Sequence, residues 1–146
     1  MIRPVELYFG VPTDAEPTRI LVSTLPEFEA VVDLVELLAL DQGAAIQLDL
    51  HPVGVAAGRP ILVQLLIGDP ERSRVLVHED GAVFAAIDDR VGRLDRDVGF
   101  THVRDPGAAE PDETRIGPRT AVDAVVFQLL TGDRFPPVRW LELVAD

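Results

Sequence analysis

A chain of 146 residues, 47% of them hydrophobic, is long enough to bury one full core and short for two, so a single domain over 1–146 is expected. No apolar run nears the roughly 18 residues of a membrane span, and the absence of cysteine excludes disulfides, thiolate zinc sites and thiol nucleophiles. The net charge is −12 and all 13 basic residues are arginine, a balance that opposes direct binding of nucleic acid or anionic membranes and favours basic partners or cations, besides keeping the chain in solution.

The opening "MIRPVELYFG" lacks the long apolar stretch of a secretory signal, and a soluble cytoplasmic protein is expected. Arg3–Phe9 and Thr18–Ser23 are rich in β-branched and aromatic residues and are separated by a Pro/Gly/Asp turn region, which reads as a hairpin. In "TLPEFEAVVDLVELLALDQG", Thr24 and Glu27 have capping-box spacing, Pro26 sits in the first turn and Gly43 stands past the end. Phe28, Val31, Val32, Val35 and Leu38 supply the buried stripe of this helix, expected over about 25–40. Ala44–Leu50, Ile61–Ile67, Arg74–Glu79 and Ala82–Ile87 read as four strands of an antiparallel meander, the last two joined through Asp80-Gly81 in a type I′ turn.

A short strand at Val98–Val103 is followed by Arg104–Gly117, an acidic, proline-containing segment that reads as a loop. Residues 118–131 have helical spacing, with Val122, Val125, Val126, Leu129 and Leu130 on one face and Gly132 closing the helix. Pro136 and Pro137 then hold the backbone extended, and Val138–Leu143 reads as a last strand with Val138, Trp140 and Glu142 on one side. Trp140 is read as a core plug. The expected fold is α+β: a mostly antiparallel, curved sheet of about six to eight strands against two main helices.

Chemistry is harder to place. His51, His78 and His102 lie on different elements without helical metal-site spacing. Ser23 and Ser73 are in no nucleophile elbow, and neither a phosphate loop nor a dinucleotide fingerprint occurs. The acid pairs Glu79-Asp80 and Asp88-Asp89 are read first as a hairpin tip and a solvated loop, and "DDRVGRLDRD" from Asp88 to Asp97 as an exposed rim of alternating sign. No catalytic, cofactor-binding or metal residue is assigned, and no enzymatic activity or cofactor is expected.

The chain closes on Phe127, Leu130, Thr131, Gly132, Pro136 or Pro137, Val138 and Trp140, within an order of elements that runs from about Thr18 to Val144. In these residues and this order it resembles immunity protein family one of bacterial polymorphic toxin systems. The family commonly has Glu after the tryptophan, where this chain has Leu141 and then Glu142, and its Arg104–Gly117 segment is less typical. The resemblance implies a one-to-one inhibitor of a cognate toxin encoded beside it, most often a nucleic-acid (cytosine) deaminase. Such a toxin presents a basic, substrate-accommodating surface, which an acidic protein can occupy. On that reading the toxin-binding residues are Glu79 and Asp80, then Asp88, Asp89, Asp95 and Asp97, then Glu110, Asp112 and Glu113, with helices and last strand as scaffold. Two other readings stay open: an acidic adaptor unrelated to toxins, and a small acid- or metal-dependent enzyme.

Overall fold

The computed structural model describes residues 2–53 and 61–144. Among these residues two helices and nine strands form an α+β fold: β1 (Val5–Phe9), β2 (Thr18–Val22), α1 (Leu25–Gln42), β3 (Ala45–Pro52), β4 (Val63–Ile67), β5 (Val75–Glu79), β6 (Ala82–Ile87), β7 (Val98–His102), β8 (Asp105–Ala109), α2 (Pro118–Thr131) and β9 (Arg139–Leu143). The sheet is open and mostly antiparallel, in the order β2-β1-β3-β4-β5-β6-β9, so the expected hairpin and meander both form. No helix among the described residues is long and apolar enough to cross a membrane.

Local signals explain the first helix. The Glu27 N–H donates to Thr24 Oγ1 (3.3 Å), and the Glu27 carboxylate reaches back to the Ser23 N–H (3.2 Å), so two donors with no helical partner are satisfied. That backbone bond, with the Thr24 hydroxyl, holds Glu27 below the ordinary carboxylate range. Phe28, Val31, Val32 and Val35 are buried as expected; Ala39 completes the stripe where Leu38 was expected, Leu38 being half-buried. The β5–β6 turn places Asp80 and Gly81 at φ 49° and 82°, the two positive values a type I′ turn needs.

Between one sheet face and the helices lies the main core. Val5, Leu7, Leu48, Leu50, Val63 and Leu65 point into it from the strands, Phe28 and Val35 from α1, and Val125 and Leu129 from α2. The second helix is rotated from the expected orientation. Its buried residues are Ala121, Ala124, Val125, Gln128 and Leu129; Val122 and Val126 are only half-buried and Leu130 is exposed. The small side chains of Ala121 and Ala124 let the helix backbone sit close to the sheet, a preference that counting large aliphatics misses.

The second half departs from expectation at Arg104–Gly117. The sheet has nine strands instead of six to eight, because Arg104–Gly117 is no plain loop: it contains β8 and a 3-10 turn at Pro111–Glu113. The "DPGAA" of β8 has little strand propensity, and pairing with β7 alone makes it a strand. Its proline is tolerated on an edge, and Gly107 lies opposite Phe100 with the ring so close that a Cβ there would sit 2.6 Å from it. β7 pairs β3 in parallel through Ala45↔Phe100 and Ile46↔Thr101, the exception in an otherwise antiparallel sheet. β7 therefore shares with β1 one edge of β3, and the two strands meet end to end where Gly10 lies against the Val103 carbonyl.

Trp140 is half-buried against the core and not a fully enclosed plug. The helix before it closes on Gly132 at φ 79°, whose N–H donates to the Gln128 carbonyl (2.8 Å). Thr131 Oγ1 donates to the Phe127 carbonyl (2.8 Å), and the Phe127 and Phe135 rings meet edge-on at 5.6 Å. Trp140 Nε1 donates to the Phe135 carbonyl (3.0 Å). After the exposed Pro137, buried Val138 joins the core, and Phe135 links the Phe127 ring on α2 to the Trp140 indole on β9.

Candidate functional site

The nine acids expected to bind a partner fall into two groups at opposite ends of β6. Glu79 ends β5 and Asp80 sits in the β5–β6 turn, while Asp88 and Asp89 follow the last residue of β6. At about 3.3 Å per residue the groups are roughly 20 Å apart. The structure brings together the remaining seven and leaves the first two aside: Arg93 on the 88–97 loop binds Asp112 of the 3-10 turn, and the Asp88 N–H donates to the Arg115 carbonyl (2.7 Å).

Within these groups most carboxylates already have a cation. Arg90 grips Asp88 through two bonds of 3.0 Å, Arg139 meets Asp89 at 3.0 Å, Arg93 meets Asp112 at 2.6 Å and Arg134 meets Glu79 at 3.5 Å. Asp88 is buried, which corrects its place on an exposed rim. The hydrogen bonds of Arg90 and of its backbone N–H hold Asp88 below the ordinary carboxylate range, and Arg139 does the same for Asp89. Glu113 is half-buried 3.8 Å from Arg74, and burial pushes its carboxyl up despite the arginine. Asp80, Asp95, Asp97 and Glu110 are exposed, with no cation at ion-pairing distance among the described residues.

A polar cluster that the chain order hides lies on the sheet face away from the helices. Alternation along β3 sends Ile46, Leu48 and Leu50 into the core and Gln47, Asp49 and His51 to the other face. Asp49 is only 2% exposed. Its Oδ1 accepts from Gln47 Nε2 (3.0 Å) and Gln64 Nε2 (3.1 Å), and its Oδ2 lies 2.8 Å from His102 Nε2. Gln64 Oε1 meets His78 Nε2 at 2.9 Å, and Gln47 Oε1 accepts from Arg74 Nη2 at 2.8 Å. Burial lowers the pKa of His78 and of Arg74, in both cases against the pull of nearby acids.

His78 and His102 thus come from β5 and β7 to one carboxylate, His102 directly and His78 through Gln64, while His51 on the same face of β3 meets the Tyr8 ring instead. Their spacing in the chain contains no sign of this, because strand pairing alone brings them together. Chemically the cluster is a saturated one: each oxygen of Asp49 already accepts a hydrogen bond. Arg74 also lies 5.0 Å above the Phe100 ring, and Leu66, Val98 and Ala109 pack as a small second core under the same hairpin. The arrangement fastens β7–β8 to a sheet it otherwise touches through two residue pairs. Among the described residues no group of three or more His, Asp or Glu is placed to hold a metal ion.

The α1 side is different again. Its solvent face carries Leu34, Leu37 and Leu40, exposed at 43%, 65% and 79%, among the exposed acids Glu29, Asp33, Glu36 and Asp41. Beside it, Val32 and Val122 floor a groove of about 450 Å³ between the helices, lined also by the acids Glu29, Asp33, Glu36 and Asp123 and by one cation, Arg119. Compared with protein-family models, curated proteins and solved structures, the chain gives no match.

Proposed function

We propose that this chain is an immunity protein: it binds a cognate bacterial toxin one-to-one and excludes substrate from the toxin's cleft, the toxin being a nucleic-acid (cytosine) deaminase. The observation that carries the reading is the sequence pattern from Phe127 to Trp140, in which the Thr131 hydroxyl bonds the Phe127 carbonyl and Phe135 links the Phe127 ring to the Trp140 indole N–H. The charge agrees with it. With a net charge of −12 the chain attracts a basic nucleic-acid enzyme at long range, and Asp95, Asp97 and Glu110 are left without an internal cation to answer an external one.

Co-expression with the toxin domain encoded beside this gene tests the reading. Cells making that domain alone should stop growing and accumulate cytosine deamination, and cells making both proteins should do neither. In vitro, one equivalent of this chain should abolish deamination of a cytosine-containing oligonucleotide. Lack of protection, or residual activity at excess inhibitor, would overturn the proposal.

The Asp49–His102 pair favours a second reading, an acid–base enzyme, because a buried carboxylate can orient a half-exposed imidazole as a general base. The saturation of Asp49 by three partners ranks it lower. His102→Ala leaving toxin inhibition intact, with no turnover in the parent protein, would dispose of it.

A further inference from the structure

We infer that the outer face of α1 is the anchor by which this chain seats on a basic, apolar-floored groove of its toxin, an inference that rests on the immunity reading. Helical geometry carries it. Leu34, Leu37 and Leu40 are three apart, so they stand next to one another as a slanted apolar row on the solvent side, while Phe28, Val31, Val32 and Val35 face the core. A helix packed on a sheet needs only one apolar stripe. This one has a second, more than 40% exposed at every member.

The charges on the same face oppose the helix's own stability. Glu29 and Asp33 are four apart, Asp33 and Glu36 three apart, and like charges at those spacings repel. Asp41 lies in the last turn, where the helix dipole is negative and favours cations, yet α1 contains no arginine or lysine and no basic residue in that turn. A row of leucines bordered by uncompensated carboxylates is what a docking helix presents to a basic groove. The groove between α1 and α2, where four acids outnumber the single cation Arg119 above a floor of valines, offers room beside the row for the aliphatic stem and charged head of a partner arginine or lysine.

Charge also selects the occupant. A second copy of this chain would bring carboxylates against carboxylates, whereas a nucleic-acid enzyme supplies the missing cations. The rim acids cannot form the centre of the same contact: the loop bearing them also bears Leu94, which packs on the sheet face away from the helices. Exposed, largely paired carboxylates contribute little affinity, while an interface needs a desolvated apolar centre. In this arrangement the rim steers and the leucine row holds.

The test is binding to the purified toxin domain encoded by the adjacent gene. Leu37→Ala with Leu40→Ala should raise Kd about tenfold or more, mainly through faster dissociation, with thermal stability retained because alanine is the better helix former. Glu36→Lys should weaken binding and its salt dependence while leaving the thermal midpoint equal or higher, a combination that a scaffold helix would not produce. If the parent protein binds and these variants bind equally well, the inference is overturned and the immunity reading stands. If the parent protein does not bind that domain, both fall. Sedimentation of the chain alone should show a monomer; a dimer dispersed by the leucine variants would assign the row to self-association and overturn the inference.

Discussion

Replacing Asp49 asks whether the polar cluster is what holds the β7–β8 hairpin to the sheet. Asp49→Ala removes the acceptor of three hydrogen bonds of 2.8–3.1 Å. Gln47, 3% exposed, is left with a stranded amide donor, which costs about 1–3 kcal/mol, whereas half-buried Gln64 and His102 recover part of their loss from water. The total is about 2–4 kcal/mol, a fall in urea midpoint of about 1–2 M at an unchanged slope. Asp49→Asn keeps an oxygen for both glutamines, and a change of tautomer lets His102 accept from the new amide, so this variant should lose about 1 kcal/mol, the charge-assisted part. Hydrogen exchange localises the effect: Phe100 and Thr101 should lose protection first, with β1 and β2 unchanged. A midpoint shift below about 0.3 M for Asp49→Ala, or a shift without faster exchange in β7, would refute the reasoning.

Other consequences can be checked on the same protein. Trp140→Phe should cost about 1 kcal/mol by chemical denaturation, since it keeps most of the packing and deletes the bond to the Phe135 carbonyl. Gly68→Ala should cost about 3 kcal/mol, because at φ 114° the new Cβ would lie 2.3 Å from that of Ala39, whereas Gly43→Ala, at φ 76° with open space around it, should cost about 1 kcal/mol. The pH dependence has two signs. Asp88 and Asp89 have folded pKa values below their ordinary 3.8, so the stability they add is fully present above that pH and is lost as pH falls through the folded values. Glu113 is raised above its ordinary 4.5, so it opposes folding as pH rises past that value; thermal midpoints of Glu113→Gln should match or exceed the parent at pH 7 and lose the advantage below pH 4.5.

Where a feature depends on neighbours within about four residues, the chain order alone determined it. The capping box of Thr24 and Glu27, the Asp80-Gly81 turn that pairs β5 with β6, the stop at Gly132 and most of the core stripe of α1 are all of this kind. Tertiary structure alone decided what depends on pairing across long stretches. β8 exists because β7 offers it an edge, although "DPGAA" has little tendency to be a strand. α2 turned its alanines inward because the sheet rewarded close approach over bulk. Asp49 was joined to His102, 53 residues away, because β7 docked in parallel beside the start of β3. Of the candidate surfaces, the acids were legible as residues, but which carboxylates keep a cation is a matter of which arginine folds beside them. The leucines of α1 were legible as a helix, but only burial of the other stripe shows that this row is left facing water.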